Sequence, residues 1–130
     1  MGYPEQWLRS ALEAATGCRV FPVIAPENSM PPLIIYQRSG TVRERVTTEN
    51  ACVPVASFSV WVHTETYLDG KALADRIRRG LDNFKGDGGT VTIERAFLTD
   101  ESDGDPVDFA GEGKPTYTVQ LLFEIRYRET

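Results

Sequence analysis

Histidine occurs once in these 130 residues and cysteine twice, and no apolar run approaches the roughly 20 residues that a membrane span requires. Each scarcity excludes something. His63 is followed by Thr64 and Glu65, and the sequence sets neither a proton-transfer partner nor an orienting group beside it, so a structural or surface histidine is expected. Cys18 and Cys52 have no metal-ligand spacing, and the start Met1-Gly2-Tyr3-Pro4-Glu5 lacks the basic residue and apolar core of a signal peptide. Both thiols are therefore expected to be free, in a protein made in the cytoplasm. A hydrophobic content of 41% and a charged content of 25% are ordinary for a globular chain, and the length suits one domain, 1–130, around one core.

There is no surplus of positive charge either. The net charge is −5, and residues 99–115 account for all of it: Asp100, Glu101, Asp103, Asp105, Asp108 and Glu112 stand against Lys114 alone. The remainder is neutral, which argues against specific nucleic-acid binding, whose footprint is a basic face. Ser57 and Ser59 lack the context of a nucleophile elbow. The glycines at 86, 88 and 89 follow a helix pattern and precede a strand pattern, the reverse of a phosphate loop. A calcium loop starting at Asp103 would need Asp or Asn at 107, Gly at 108 and Glu at 114, where Val107, Asp108 and Lys114 stand. The expectation is no catalytic residue, no metal site and no cofactor.

What is present is pattern. Tyr117, Val119, Leu121, Phe123, Ile125 and Tyr127 alternate with mostly polar residues, the period-two signal of a half-buried strand. Extended from 116 to 128 it would reach roughly 43 Å, so a bend or an overhanging end is expected. Trp7, Leu8, Ala11, Leu12 and Ala15 form a helical stripe over 3–16, with Pro4 in the first turn and Gly17 as the stop. Leu73, Ile77, Leu81 and Phe84 form another over 66–84, with Thr66 as cap and Gly80 as the point of close packing. That stripe should lie against Phe58, Val60 and the last strand. Further strands are expected around Val20 and Phe21 (a short edge), at 33–38, from Pro54 onward and at 90–98, while 39–53 is open between a protruding hairpin, a mobile arm and a solvated connection. The predicted class is α+β, a mostly antiparallel sheet with two helices packed on one face.

Three stretches together resemble a known family. They are Phe21-Pro22-Val23-Ile24-Ala25-Pro26 leading to Pro32-Leu33-Ile34-Ile35-Tyr36-Gln37; Phe58-Ser59-Val60-Trp61-Val62 running into Tyr67-Leu68-Asp69-Gly70-Lys71-Ala72-Leu73-Ala74-Asp75-Arg76-Ile77; and Phe123-Glu124-Ile125-Arg126-Tyr127-Arg128-Glu129. In order and spacing they resemble the tail-completion, or tail-to-head joining, proteins of long-tailed phages and prophages, related in fold to tail terminators. The resemblance implies a structural subunit without catalysis. It implies assembly with copies of itself, commonly as a hexameric ring, on the head-proximal end of the tail, with the tail tube protein and the head connector protein as partners. The place would be the virion tail or neck, after synthesis in the host cytoplasm, and no membrane is involved. The alternative is a small ligand-binding or regulatory domain. Charge placement adds a candidate interface: Arg38, Arg43 and Arg45 on one exposed segment, and Asp100, Asp103 and Asp105 on another, meeting between neighbouring subunits.

Overall fold

The computed structural model of the protein describes residues 3–26, 29–45, 52–104 and 116–129. Its elements run α1 (Pro4–Thr16), β1 (Arg19–Pro22), β2 (Leu33–Arg45), β3 (Cys52–Thr64), α2 (Tyr67–Leu81), β4 (Gly86–Asp87), β5 (Val91–Asp103) and β6 (Tyr117–Glu129). The strands make one six-stranded sheet in the order β1-β2-β3-β6-β5-β4. The period-two strand is β6, and it occupies the middle of that order.

Both helices begin as their sequences dictate, and α1 also ends so. Pro4 opens α1, where a missing N–H costs nothing, and Gly17 closes it at φ 71°, donating its N–H to Glu13 at 2.8 Å. The Thr66 hydroxyl accepts the Asp69 N–H at 3.2 Å and caps α2. α2 ends at Leu81, three residues before the expected Phe84. The backbone there bonds to the sheet instead: Asn83 N–H donates to Ala96 C=O, and Ala96 N–H to Phe84 C=O.

Core residues line up across the sheet. Tyr36 pairs with Val60 and Val60 with Leu121; Phe58 pairs with Phe123, which pairs with Leu98; Ala56 pairs with Ile125, which pairs with Ala96. Trp7, Leu8 and Leu12 of α1 and Leu73, Ala74, Ile77 and Leu81 of α2 join these in one buried cluster. α2 packs on β3, β6 and β5, as its stripe predicts, while α1 packs on α2 and β1. Trp7 meets Phe84 with ring centroids 4.9 Å apart.

Three expectations need correction. The sheet is mixed where a mostly antiparallel one was predicted. β2–β3, β3–β6, β6–β5 and β5–β4 are antiparallel, but β1 lies parallel to β2. With only four residues in β1, the proline-rich loop is long enough to return the chain to the same end of the sheet, where a longer strand would need a longer crossover. Strand β2 extends past Arg38, its expected end, to Arg45 and pairs there with β3, so of the readings left open for 39–53 the hairpin holds for 39–45 and 52–53. Strand β5 extends past Leu98, its expected end, to Asp103, which makes the first five residues of the acidic segment 99–115 a strand. Register shifts at Ile93/Arg95 and Leu98/Asp100 bend β5, and these are the curvature that a 13-residue partner such as β6 requires.

Candidate functional site

Among the described residues the sheet leaves stretches of two edge strands uncovered. Strand β1 pairs with β2 only from Leu33 to Tyr36, and Val23 adds one bond to the Tyr36 carbonyl. Past Tyr36, no backbone bond from another element reaches the outer side of β2 among the described residues. On the opposite margin, β4 covers Thr92 and Ile93 of β5, and residues 82–84 satisfy Ala96 and the Leu98 N–H, which donates to the Asp82 carboxylate at 2.9 Å. From Thr99 to Asp103 the outer side of β5 is likewise open among the described residues.

The outward-facing groups follow from one proline. Pro54 has no N–H to give β2, and it pairs with Arg43, so the backbone groups of that pair face away from each other. Alternation then turns the N–H and C=O of Thr41, Arg43 and Arg45 outward. The same count across β3 and β6 turns those of Glu101 and Asp103 outward on β5, in phase with the observed outward bonds of Ala96 and Leu98. Residues 52–54 of β3 pair with β2 but not with β6, so at the hairpin end β2 and β3 part from β6, which runs on to Glu129 beside β5.

The charged residues singled out by sequence have separate fates. Arg38 belongs to the subunit's own structure. It pairs with Glu5 of α1, donates to Thr41 Oγ1 at 2.9 Å and to the Tyr127 hydroxyl at 3.5 Å, and lies 5.4 Å from the centroid of the Phe58 ring and 5.9 Å from that of Tyr127. Burial alone would lower its pKa, but the bonds to Glu5 and Tyr127 outweigh that, and the net direction is up. Asp103 is also engaged within the subunit, accepting from the Tyr67 hydroxyl at 2.7 Å and pairing with Lys71; these hold its carboxyl below the usual carboxylate range. Arg43 and Asp100 are exposed and make no ion pair among the described residues. The backbone of Arg45 ends β2, and Asp105 lies outside the described residues. Among the described residues the two sets do not meet in one subunit. Arg43 sits at the hairpin end, and Asp103, in line with Val119, Val62 and Ile34, sits roughly 30 Å away along the strands at about 3.3 Å per residue. Sequence reasoning missed Thr41 and Glu101 as edge residues, because edge position depends on strand order, which periodicity does not carry.

His63 lies on β3, beside Thr118 of β6. Its ring is buried, Nδ1 lies 3.0 Å from Thr118 Oγ1, and burial pushes its pKa down. Among the described residues no three His, Cys, Asp or Glu side chains are grouped to hold a metal. Cys18 is a free thiol; the side chain of Cys52 is outside the described residues. No helix among the described residues is long and apolar enough to cross a membrane. One open cleft of about 410 Å³ lies between the end of α1 and the start of α2, lined by Cys18, Pro32, Glu65, Asp69 and Arg76 among others.

Among the described residues, then, the molecule is a small α+β unit with a sheet open at both margins. Residues 11–128 match the family described as bacteriophage tail terminator protein. The chain belongs to that family. Its role is accordingly structural, in phage tail assembly. A solved chain from the virion of a native gene transfer agent particle is similar over 96% of this terminator-family chain and 91% of its own, at 16% identity and a TM-score of 0.64, a likeness of fold. No curated protein matches.

Proposed function

We propose that the chain, as a single domain 1–130, caps the head-proximal end of a long phage tail as a ring of copies of itself, commonly six. On one side it meets the tail tube protein and on the other the head connector protein. The family match over residues 11–128 carries this reading. The geometry is compatible with it: one core holds both helices, which we place on the same face of the sheet, and the other face is left half-open. That second face presents Ile35, Trp61, Leu122 and the largely exposed Phe97, apolar area of the kind an assembly contact needs. The protein acts in the virion tail or neck after synthesis in the host cytoplasm, and it acts by shape, without catalysis. The charged contact between subunits involves the exposed Arg43 with Arg45 on one side and Asp100 with Asp105 on the other. Arg38 and Asp103 contribute indirectly, by fixing the strands that present them.

The test is disruption of the gene in its phage, followed by electron microscopy of the lysate. Tails of uncontrolled length, or tails separate from filled heads, are expected, with restoration by the wild-type gene in trans. Normal tails joined to heads would overturn the reading.

A further inference from the structure

An open strand edge offers a row of unpaired N–H and C=O groups to any other edge, and folded proteins usually blunt such rows. Here, among the described residues, two are left open on opposite margins of one sheet, and they carry opposite charge. Residues 37–45 hold Arg38, Arg43 and Arg45 against Glu44; residues 99–103 hold Asp100, Glu101 and Asp103 with no base. Like charges directly opposite each other destabilise a strand pair, so β5 is poorly suited to β5 of another copy, and β2 to another β2. Opposite charges leave one combination favoured.

We propose that copies of this chain join through their sheet edges, residues 41–45 of β2 in one copy pairing with residues 99–103 of β5 in the next. This rests on the reading that the chain assembles with itself, and it deepens that reading by naming the surface. In a single copy β2 and β5 run in opposite directions, three antiparallel steps apart. A neighbour placed with its helices on the same side therefore pairs β5 antiparallel to β2. Side-chain faces also agree. Arg43 lies opposite Pro54, on the face that carries Ala56 and Phe58; Glu101 and Asp103 lie opposite Leu121 and Val119, on that same face. Edge pairing thus brings Arg43 alongside Glu101, both exposed and without an ion pair among the described residues. The contact is heterologous, one surface against a different one, which builds rings or filaments and not two-fold dimers.

The experiment is sedimentation velocity of the purified full-length chain at about 0.1 M salt, up to about 1 mM protein. Thr41→Pro deletes an outward N–H that no β3 partner uses, and Arg43→Glu reverses the charge; thermal melts confirm that each variant folds. Each should raise the dissociation constant of self-association by about tenfold or more. Adding Glu101→Arg to Arg43→Glu should restore association, and this pair keeps the test open if Thr41→Pro fails to fold. If both single variants assemble like wild type, the edge pairing is wrong while self-assembly stands. If the wild-type chain stays monomeric throughout, both are wrong.

Discussion

A methyl group added at Gly70 would meet the Thr64 hydroxyl oxygen at 2.9 Å and a Val119 methyl at 3.4 Å, whereas one added at Gly80 would find only the Ala15 methyl at 3.6 Å. Helix propensity alone treats the two glycines alike and suggested the later one as the contact point. Packing separates them, because Gly70 lies buried where α2 enters over β6 and Gly80 lies exposed. Gly80→Ala should stabilise the protein by up to about 1 kcal/mol, the helix cost of glycine. Gly70→Ala should cost about 1–3 kcal/mol, the range for overpacking. Denaturant melts decide, and a loss at Gly80 with none at Gly70 would reverse the assignment. His63 gives a second test at this scale. Its folded pKa is lowered by burial from an ordinary value near 6.5. Between the lowered pKa and about 6.5 the unfolded chain binds a proton that the folded chain refuses, so stability is full above about 6.5 and falls as the pH drops through that window. His63→Gln should remove this part of the pH dependence. Melts of the two proteins at pH 7.5 and at about pH 5.5 should therefore differ more for wild type, and equal slopes would show that the histidine charges as freely folded as unfolded.

Elements were legible where one period ran long enough. The apolar alternation of β6 and the stripe of α2 each identify an element and its buried face, and the structure buries Leu73, Ile77 and Leu81 as that stripe requires. Ile77→Ala and Leu81→Ala, at sites that are 0% and 1% exposed, should each cost about 2–5 kcal/mol in denaturant melts. Losses below about 1 kcal/mol at both would contradict the packing of α2 on the sheet. Arg38 was read with the exposed charges, although another signal was present in the sequence. Counting by two from Ile34 and Tyr36 puts it on the core face, and it does lie over Phe58 and Tyr127. Composition grouped it with Arg43; the register shift between Arg38 and Gly40 leaves both on the core face, and position along β2 separates them, Arg38 over Phe58 and Tyr127 and Arg43 exposed opposite Pro54. Strand order and strand direction were not legible. The parallel β1, the reach of β2 and β5, and the two open edges depend on which strand lies beside which, and that is decided by loops and long-range packing. For the same reason the candidate interface could be proposed by residue, while the separation of its two ends along the strands comes from the register.

At the scale of the whole molecule, charge is distributed along the strands: the arginines of β2 lie toward the hairpin end, and the acids of β5 toward the other. Lys71 already balances Asp103, so the acids of β5 free to act on a neighbour are Asp100 and Glu101. Exposed pairs contribute about 0–1 kcal/mol each, so two of them change a dissociation constant by about 30-fold at most. The apolar side chains on the open sheet face respond to salt in the opposite sense, since excluded salts such as sulfate favour apolar burial. The sign of the salt effect therefore identifies the contact that holds copies together. If charged edges dominate, raising sodium chloride from about 0.1 to 1 M should weaken self-association, as the screening length falls from about 10 to 3 Å. Most of that change should appear in the association rate, because separated charges steer the encounter more than they hold the complex. If Ile35, Trp61, Leu122 and Phe97 dominate, added salt should leave association unchanged or strengthen it, and sulfate should do so more than chloride. Sedimentation equilibrium in the two salts distinguishes these outcomes. Association that tightens in both would locate the main contact on the sheet face and reduce the edge charges to a device for choosing register.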